Sequence, residues 1–567
     1  MGSPSRAGDG PAGTPTPRYS LSVNSASVFL ASVAIQAIGF IGSLFVYRFL
    51  GGNTAGQSLF GTAQFFLLIA STINSLADLR LGAGYQFFLA RGRPPRLNTL
   101  TYLILRYLLV GGVGLAMFAL APVSFAGATI APTNYLLEVL AIFLVLPAFW
   151  TLETVYQNYQ IGIGNSALAQ LPPLLEVIVR TPAVIAVAYL APTLINLAWA
   201  YLLGAAAAGL VCLPSLLPLL DRFRLREGSL LLRYSWPLVG ALGLATVAAS
   251  AIPFVVQASL GPALLNQFNL VNGFRILLLI FPSAIMIPLF PYIAALHRKL
   301  DYQGIRTGMW TALRYCSMLL VPAIVALSVY RVTVLAIVNY AYLPAAPVLA
   351  ILVLSAFPAS LSMIMGVGLA GIGWRRLELY LTSVQVALLF GVAIGLMPPF
   401  GILPPSDGLI GAALAVLVSS TAAFALNSYF TRRLMAVHVF PRSIAFIALS
   451  ALLSFFAISR VNAFLPLYLR SDAAQLLLGV LVGGTVYFLV LALVGELAKE
   501  DVWRVGRSLG LPAPWLAFVA RFCWREVPLH VVQPVDVARV PGLTDGSIPD
   551  LTISDEEAFA GKGEHPP

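Results

Sequence analysis

Arg106, Arg180 and Arg275 stand deep inside stretches that are otherwise apolar. A guanidinium stays charged at any physiological pH and presents a planar fork of donors that matches the oxygens of a phosphate or carboxylate. At bilayer depth such a charge costs roughly 2.5–3.5 kcal/mol even on a permissive insertion scale, so each arginine needs a partner or a purpose. Arg180 has a local partner in Glu176: the i, i+4 spacing puts both on one helical face with the acid first. Two readings follow, a self-neutralised structural pair, or a pair bordering a cavity in which Glu176 positions Arg180 or exchanges a proton as substrate arrives. Arg275 has no carboxylate three or four residues away on either side. It therefore has the stronger claim to a ligand, with the carbonyls of a Pro-bent neighbour as the alternative. Asn269, Asn272 and Arg275 fall within about 120° of arc at roughly 100° per residue, a polar stripe that is unfavourable against lipid. The stripe suits a hydroxyl-rich sugar, or hydrogen bonds between helices worth roughly 0.6–2 kcal/mol each. Arg314 lies nearer the end of its stretch and is expected to snorkel.

The elements that must position these residues are membrane helices. Of the 567 residues, 59% are apolar and 10% charged, against roughly 25% charged in soluble proteins. About fourteen stretches are long enough to cross a bilayer: 22–47, 59–80, 98–121, 135–157, 166–191, 193–218, 234–259, 264–293, 307–330, 344–370, 375–397, 407–430, 441–462 and 473–496. The break between the fifth and sixth rests on Ala191-Pro192. No soluble domain remains. The expected fold is an all-α polytopic membrane protein.

A net charge of +11 suggests nucleic acid in a soluble chain, but its placement excludes that reading. With a cytoplasmic N-terminus, sixteen Arg and Lys fall in the inward connections, from Arg80 to Arg442, against four outside, Arg48, Arg331, Arg460 and Arg470. The positive-inside rule then places both termini in the cytoplasm, and the basic connections meet anionic membrane lipids. Cys212, Cys316 and Cys523 form neither a disulfide framework nor a metal-ligand spacing, and no phosphate-binding Gly-x-x-x-x-Gly-Lys motif occurs. No metal, cofactor or catalytic residue is expected. Residues 1–20 read as a disordered leader and the tail from 497 as an interfacial amphipathic stretch (499–525) followed by a disordered acidic end.

The chain also echoes itself. Gly162-Ile163-Gly164-Asn165 after the fourth span and Gly371-Ile372-Gly373-Trp374 after the tenth are 209 residues apart, and the same offset maps Leu59-Phe60-Gly61 onto Phe268-Asn269-Leu270. Six spans separate the copies, so the halves lie parallel about an axis along the membrane normal. The expected organisation is two six-helix bundles, 21–218 and 219–430, followed by two further helices in 431–496 and the tail 497–567.

Dispersed motifs give the membrane region a family resemblance. Arg48-Phe49-Leu50-Gly51 closes the first span, Phe60-Gly61 opens the second, and Asp78-Leu79-Arg80-Leu81-Gly82 follows it. Leu175-Glu176 and Arg180 lie in the fifth, while Arg275 and Pro291 mark the eighth. In this order they resemble the polysaccharide or O-antigen flippases of the multidrug/oligosaccharidyl-lipid/polysaccharide exporter superfamily. Three positions depart from the pattern: Arg80 replaces a usual glycine, Phe268 a common tyrosine, and Pro253 stands where many members carry an acid.

The resemblance implies a non-enzymatic flippase of the cytoplasmic membrane that moves a lipid-linked oligosaccharide by alternating access for cell-surface glycan synthesis. Arg275, Arg180, Arg106 and Arg48 would meet the anionic headgroup, Asn269 and Asn272 would line the cavity, and Glu176 and Asp78 would serve coupling or positioning. Glycan polymerase or assembly proteins are the expected protein partners. The competing readings are a lipid II flippase, a cation-coupled drug antiporter, for which a buried acid in the first or seventh span is expected and missing, and a membrane glycan polymerase. A polymerase needs paired acids on an outer loop, and the outer connections offer only Asp407 and Asp472, each without a neighbour.

Overall fold

The computed structural model describes residues 21–497 apart from 91–92, 124–128, 373–374, 399–400, 436, 438–440 and 465–470, together with isolated positions between 499 and 523. The leader, the acidic end of the tail, most of the amphipathic stretch and the Gly373-Trp374 half of the internal echo lie outside these residues. Among the described residues the chain is helical, with no strand.

The first lobe consists of α1 (Leu21–Leu50), α2 (Thr54–Asp78), the short α3 (Leu81–Ala90), α4 (Pro95–Leu120), α5 (Asn134–Gly162), α6 (Leu171–Leu190) and α7 (Leu194–Leu216). The second consists of α8 (Leu225–Leu260), α9 (Pro262–Leu278), α10 (Ile280–Arg298), α11 (Tyr302–Val329), the short α12 (Arg331–Val338), α13 (Ala346–Gly371), α14 (Arg375–Leu396) and α15 (Gly408–Met435). α16 (Pro441–Phe464) and α17 (Asp472–Val494) follow as a hairpin that leans on α11. Among the described residues, thirteen helical segments are long and apolar enough to cross a membrane. With α8 they occupy the fourteen expected stretches.

The packing repeats between the lobes. α5 packs on α7, α6 on α7 and α1, and α4 and α2 on α5; correspondingly α13 packs on α15, α14 on α15 and α8, and α11 and α9 on α13. The lobes meet mainly along α2 and α9, where Gly61 approaches the Pro262 carbonyl so closely that any Cβ would collide with it. Leu115, Leu190, Leu203 and Leu493 are exposed, while Arg106, Asn98 and Asn266 are buried. Apolar outside and polar inside is the arrangement a lipid solvent selects.

Hydroxyl and amide caps start several spans. The Asn53 Oδ1 accepts from the Gly56 N–H at 2.7 Å, and Thr133 and Thr193 cap α5 and α7 in the same way. Thr193 follows Ala191-Pro192, so the expected break between the fifth and sixth spans falls where the sequence puts it. The eighth span differs from its expectation as one helix over 264–293. It divides at Leu279, whose N–H reaches the carbonyls of both Arg275 and Ile276. Pro282 explains the division: it has no N–H to give and its ring would clash with the Leu278 carbonyl of a continuous helix. The first turn of α10 needs no donor there and accommodates it.

Candidate functional site

Arg275 lies in the last turn of α9, where the carbonyl ends of the helix favour a cation. Its Nε donates to the Ser355 Oγ of α13 at 2.9 Å. No carboxylate forms an ion pair with it among the described residues. Arg275 borders a cavity of about 350 Å³ enclosed by α9, α10, α13, α14 and α15. Ser362, Thr382, Gln385, Ser420 and Asn427 give the wall its hydroxyls and amides, with Glu378 as an acid at the start of α14. The Asn427 Nδ2 donates to the Ser362 Oγ at 2.8 Å, which ties α15 to α13 in one wall. The cavity runs along the half of α13 that ends at Gly371, toward the connections that carry Arg298, Lys299, Arg432 and Arg433.

The arginines of the first lobe are paired. Arg180 donates to the Glu176 Oε1 at 2.6 Å, and the Trp150 Nε1 donates to Oε2 at 3.2 Å. The Arg180 guanidinium also lies over the Tyr201 ring, 5.8 Å from its centroid. α7 approaches this turn closely: a Cβ on Gly204 would stand 2.5 Å from the Arg180 Cβ. Arg106 is 1% exposed and is bound by side chains of α2 and of its own helix α4. Its Nη1 donates to the Asp78 Oδ1 at 2.5 Å and its Nη2 to the Asn74 Oδ1 at 2.7 Å. Tyr102 donates to the same Asp78 oxygen at 3.0 Å and accepts from Asn158 at 2.8 Å, and Asn158 accepts from Gln86 at 2.6 Å. Asp78 thereby ties the end of α2 to α4 and α5, just before Leu79 and Arg80 turn the chain with φ of 42° and 57°.

The stripe on α9 divides between two roles. The Asn269 Nδ2 donates to the Gln64 Oε1 of α2 at 3.0 Å, and two residues earlier on α9 the Gln267 Nε2 donates to the Gln57 Oε1 at 3.1 Å. The Asn266 Nδ2 donates to the Tyr342 hydroxyl at 3.0 Å. The first two bonds seam the lobes at the end where α2 and α9 begin, opposite the end where the cavity lies, and the third holds α9 within its own lobe. Asn272 is half-buried further along α9. Arg48 is exposed at the same end, and its carbonyl accepts from the Asn339 Nδ2 at 3.3 Å. The sequence-derived residues therefore form three groups: Arg275 in a second-lobe cavity, Arg180, Glu176, Arg106 and Asp78 in a first-lobe polar core, and Asn269 and Arg48 at the seam.

Three contributors escaped the sequence reading. Gln64 and Ser355 are ordinary polar residues whose partners lie 205 and 80 residues away in the chain, so nothing local marked them. Glu153, buried in α5, carried the same signal as Arg180: a charge deep in an apolar run. Arg314 corrects an expectation. It does not snorkel but is 5% exposed, with its Nε donating to the Glu496 Oε1 at 2.9 Å, because the chain leaving α17 brings an acid back against α11.

No model of a known protein family and no curated protein matches the chain. Solved structures do. A lipid II flippase MurJ in an inward closed conformation superposes with a TM-score of 0.66 at 12% identity, covering 82% of this chain and 98% of that one. An inward-facing MATE family multidrug resistance transporter of the MOP superfamily gives 0.57 at 16%, covering 73% and 98%. A MOP superfamily transporter from Pyrococcus furiosus, described as having a binding pocket of reverse polarity, gives 0.52 at 15%, covering 72% and 95%. At these identities the likeness establishes the fold: a multi-pass, all-α membrane protein built as MurJ and MATE transporters are.

Proposed function

We propose that this chain is a flippase of the cytoplasmic membrane that moves a lipid-linked, polyprenyl-pyrophosphate oligosaccharide between leaflets by alternating access of its two lobes. The observation that carries the reading is the cavity around Arg275, a guanidinium without an ion-paired carboxylate among the described residues, in a wall of hydroxyls and amides. A pyrophosphate supplies the missing anion through bidentate hydrogen bonds, and the first sugars meet Ser362, Thr382, Gln385 and Asn427. A volume of about 350 Å³ lies at the small end of ligand pockets, enough for a headgroup and its first sugar, with the lobes parting further for the rest.

In this reading both termini are cytoplasmic, the cavity opens toward the basic connections, and the seam between Gln64 and Asn269 closes the outer side. Arg180, Arg106 and Arg48 extend the cationic path, and Glu176 and Asp78 hold or release those arginines. A cationic drug would meet Arg275 as a like charge, which weighs against the antiporter. The MurJ-like fold favours a second reading with the same headgroup, lipid II itself.

The test is reconstitution in liposomes with labelled lipid-pyrophosphate glycans, an oligosaccharide and lipid II in parallel, following leaflet exposure and product length. Movement of the oligosaccharide without elongation is expected. Movement of lipid II alone selects the second reading, and a lengthened glycan overturns both in favour of a polymerase. A cysteine probe at position 228 should label only from the cytoplasmic side.

A further inference from the structure

Glu153 lies about 14 Å from the Gly162 end of α5 at 1.5 Å per residue, well inside the bilayer. It lies one turn after Trp150 on α5, whose Nε1 donates to the Glu176 Oε2 at 3.2 Å, so its carboxyl group is on the face of α5 turned to Glu176 of α6, and both residues are buried. The Glu153 Oε1 accepts from the Gln157 Nε2 at 3.0 Å, whereas Oε2 is buried without a hydrogen-bond partner among the described residues. The two oxygens of Glu176 accept from Arg180 and from Trp150.

The surrounding charges do not balance two carboxylates. From α6 the pair faces Arg180, and from α4 Arg106, already bound to Asp78 of α2. From α7 it faces the Cys212 thiol, which donates to the Ala208 carbonyl, while Tyr201 of that helix lies against Arg180. The nearest titratable group of α3, Tyr85, bonds to Thr99. One guanidinium thus serves two acids. Two ionised carboxylates side by side in a low-dielectric interior would repel, whereas one proton on the Glu153 Oε2 gives the orphaned oxygen a hydrogen to donate to Glu176 and leaves a neutral trio with Arg180.

We infer that Glu153 and Glu176 form an acid–carboxylate pair that holds an exchangeable proton, and that the pair takes up a second proton when an anionic headgroup draws Arg180 away from Glu176. The proton site stands on this geometry alone; its link to the headgroup rests on the flippase reading. Arg180 is placed to respond, because its side chain keeps 24% exposure while Glu176 keeps 9%. It also points away from the exposed Ile178, about 200° around the helix. Phosphate and Glu176 compete for one guanidinium. Headgroup binding therefore leaves Glu176 without its cation, and a proton from the water that admits the headgroup replaces it. By linkage, protons in turn favour headgroup binding by the same factor.

The experiment uses the full chain in lipid nanodiscs. Infrared spectra at neutral pH should show the C=O stretch of a buried protonated carboxyl that is lost in both Glu153→Gln and Glu176→Gln, since either change leaves one acid for one arginine. Glu138→Gln, at an exposed position of α5, should keep it. Addition of a polyprenyl pyrophosphate in weak buffer with a pH dye should consume about one proton per bound ligand in the parent chain and none in Glu176→Gln, as the linkage requires. A band that persists in both Gln variants overturns the proton site. A lost band with ligand bound but no proton consumed overturns the link. A lost band with no binding of the polyprenyl pyrophosphate leaves the proton site standing and overturns the flippase reading instead.

Discussion

The two lobes handle the same expensive residue in opposite ways. In the first, Arg106 is enclosed by Asp78, Asn74 and Tyr102, and Arg180 by Glu176. In the second, Arg275 has one serine hydroxyl and a helix terminus, and it borders a cavity. The packing of the lobes repeats while their electrostatics do not. A paired charge contributes to the architecture, whereas a charge left without a counterion at bilayer depth is a cost that a ligand can offset. In the proposed flippase this asymmetry gives first capture of the anion to Arg275 of the second lobe, and leaves the first lobe with arginines that must give up an acid before they can follow.

The comparison is exposed most sharply by alanine at each arginine. Arg275→Ala should abolish glycan movement in liposomes while the protein remains monodisperse with an unchanged unfolding temperature, because no folded-state ion pair is lost. Arg275→Lys should restore part of the activity, since an ammonium keeps the charge and loses the fork. Full transport by Arg275→Ala would remove the second lobe from headgroup binding.

Arg106→Ala should behave in the opposite sense and destabilise by about 3 kcal/mol, because Asp78, 22% exposed, would lose its cation. Asp78→Ala should do the same. Replacing both with apolar residues should cost much less, because neither charge is left uncompensated. Thermal unfolding in detergent decides this, and equal stability of Arg106→Ala and the parent chain would end the contrast between the lobes.

A smaller effect belongs to the seam between them. Gln64→Ala with Asn269→Ala, read as a double-mutant cycle, should give a coupling of about 0.6–2 kcal/mol. Losing it should populate a state open at the α2 and α9 start, visible as a longer spin-label distance across that end. No change in that distance would make the seam mere packing.

How much was legible in the sequence follows the range of each interaction. Spans, their order and the parallel repeat were legible because composition and length act locally. So was the Glu176–Arg180 pair, one helical turn apart. The division at Leu279 was not read, because Pro282 sits inside an apolar run, 264–293, that composition alone does not divide. Asn269 read as cavity lining and proved to bond Gln64, because the bond joins residues in different lobes. Glu153 was missed although its depth marked it, since the acid it faces and the arginine they share lie on another helix. Charge balance is a property of the assembled interior, and no single span displays it.

The smallest predicted effect concerns the turn that ends the Asp78 network. Leu79 and Arg80 both adopt φ values in the left-handed region, 42° and 57°, where a side chain is crowded by its own backbone. The resemblance to flippases carries a glycine at position 80, the residue this backbone asks for. Leu79→Gly would also relieve strain, but Leu79 packs against the cluster of Leu81, Tyr85 and Leu103, so relief and lost burial would oppose each other. Arg80 is exposed, and its backbone rather than its side chain makes the visible contact, the Ser235 Oγ donating to its carbonyl at 3.1 Å. Arg80→Gly should therefore stabilise by about 0.5–1 kcal/mol, the left-handed cost removed less the added freedom of the unfolded glycine. Transport should not change, since Asp78 and Arg106 keep their partners. A variant that unfolds later but moves glycan more slowly would show that the Arg80 guanidinium itself meets the headgroup, and would add to the first lobe an unpaired cation that the contrast with Arg275 leaves out.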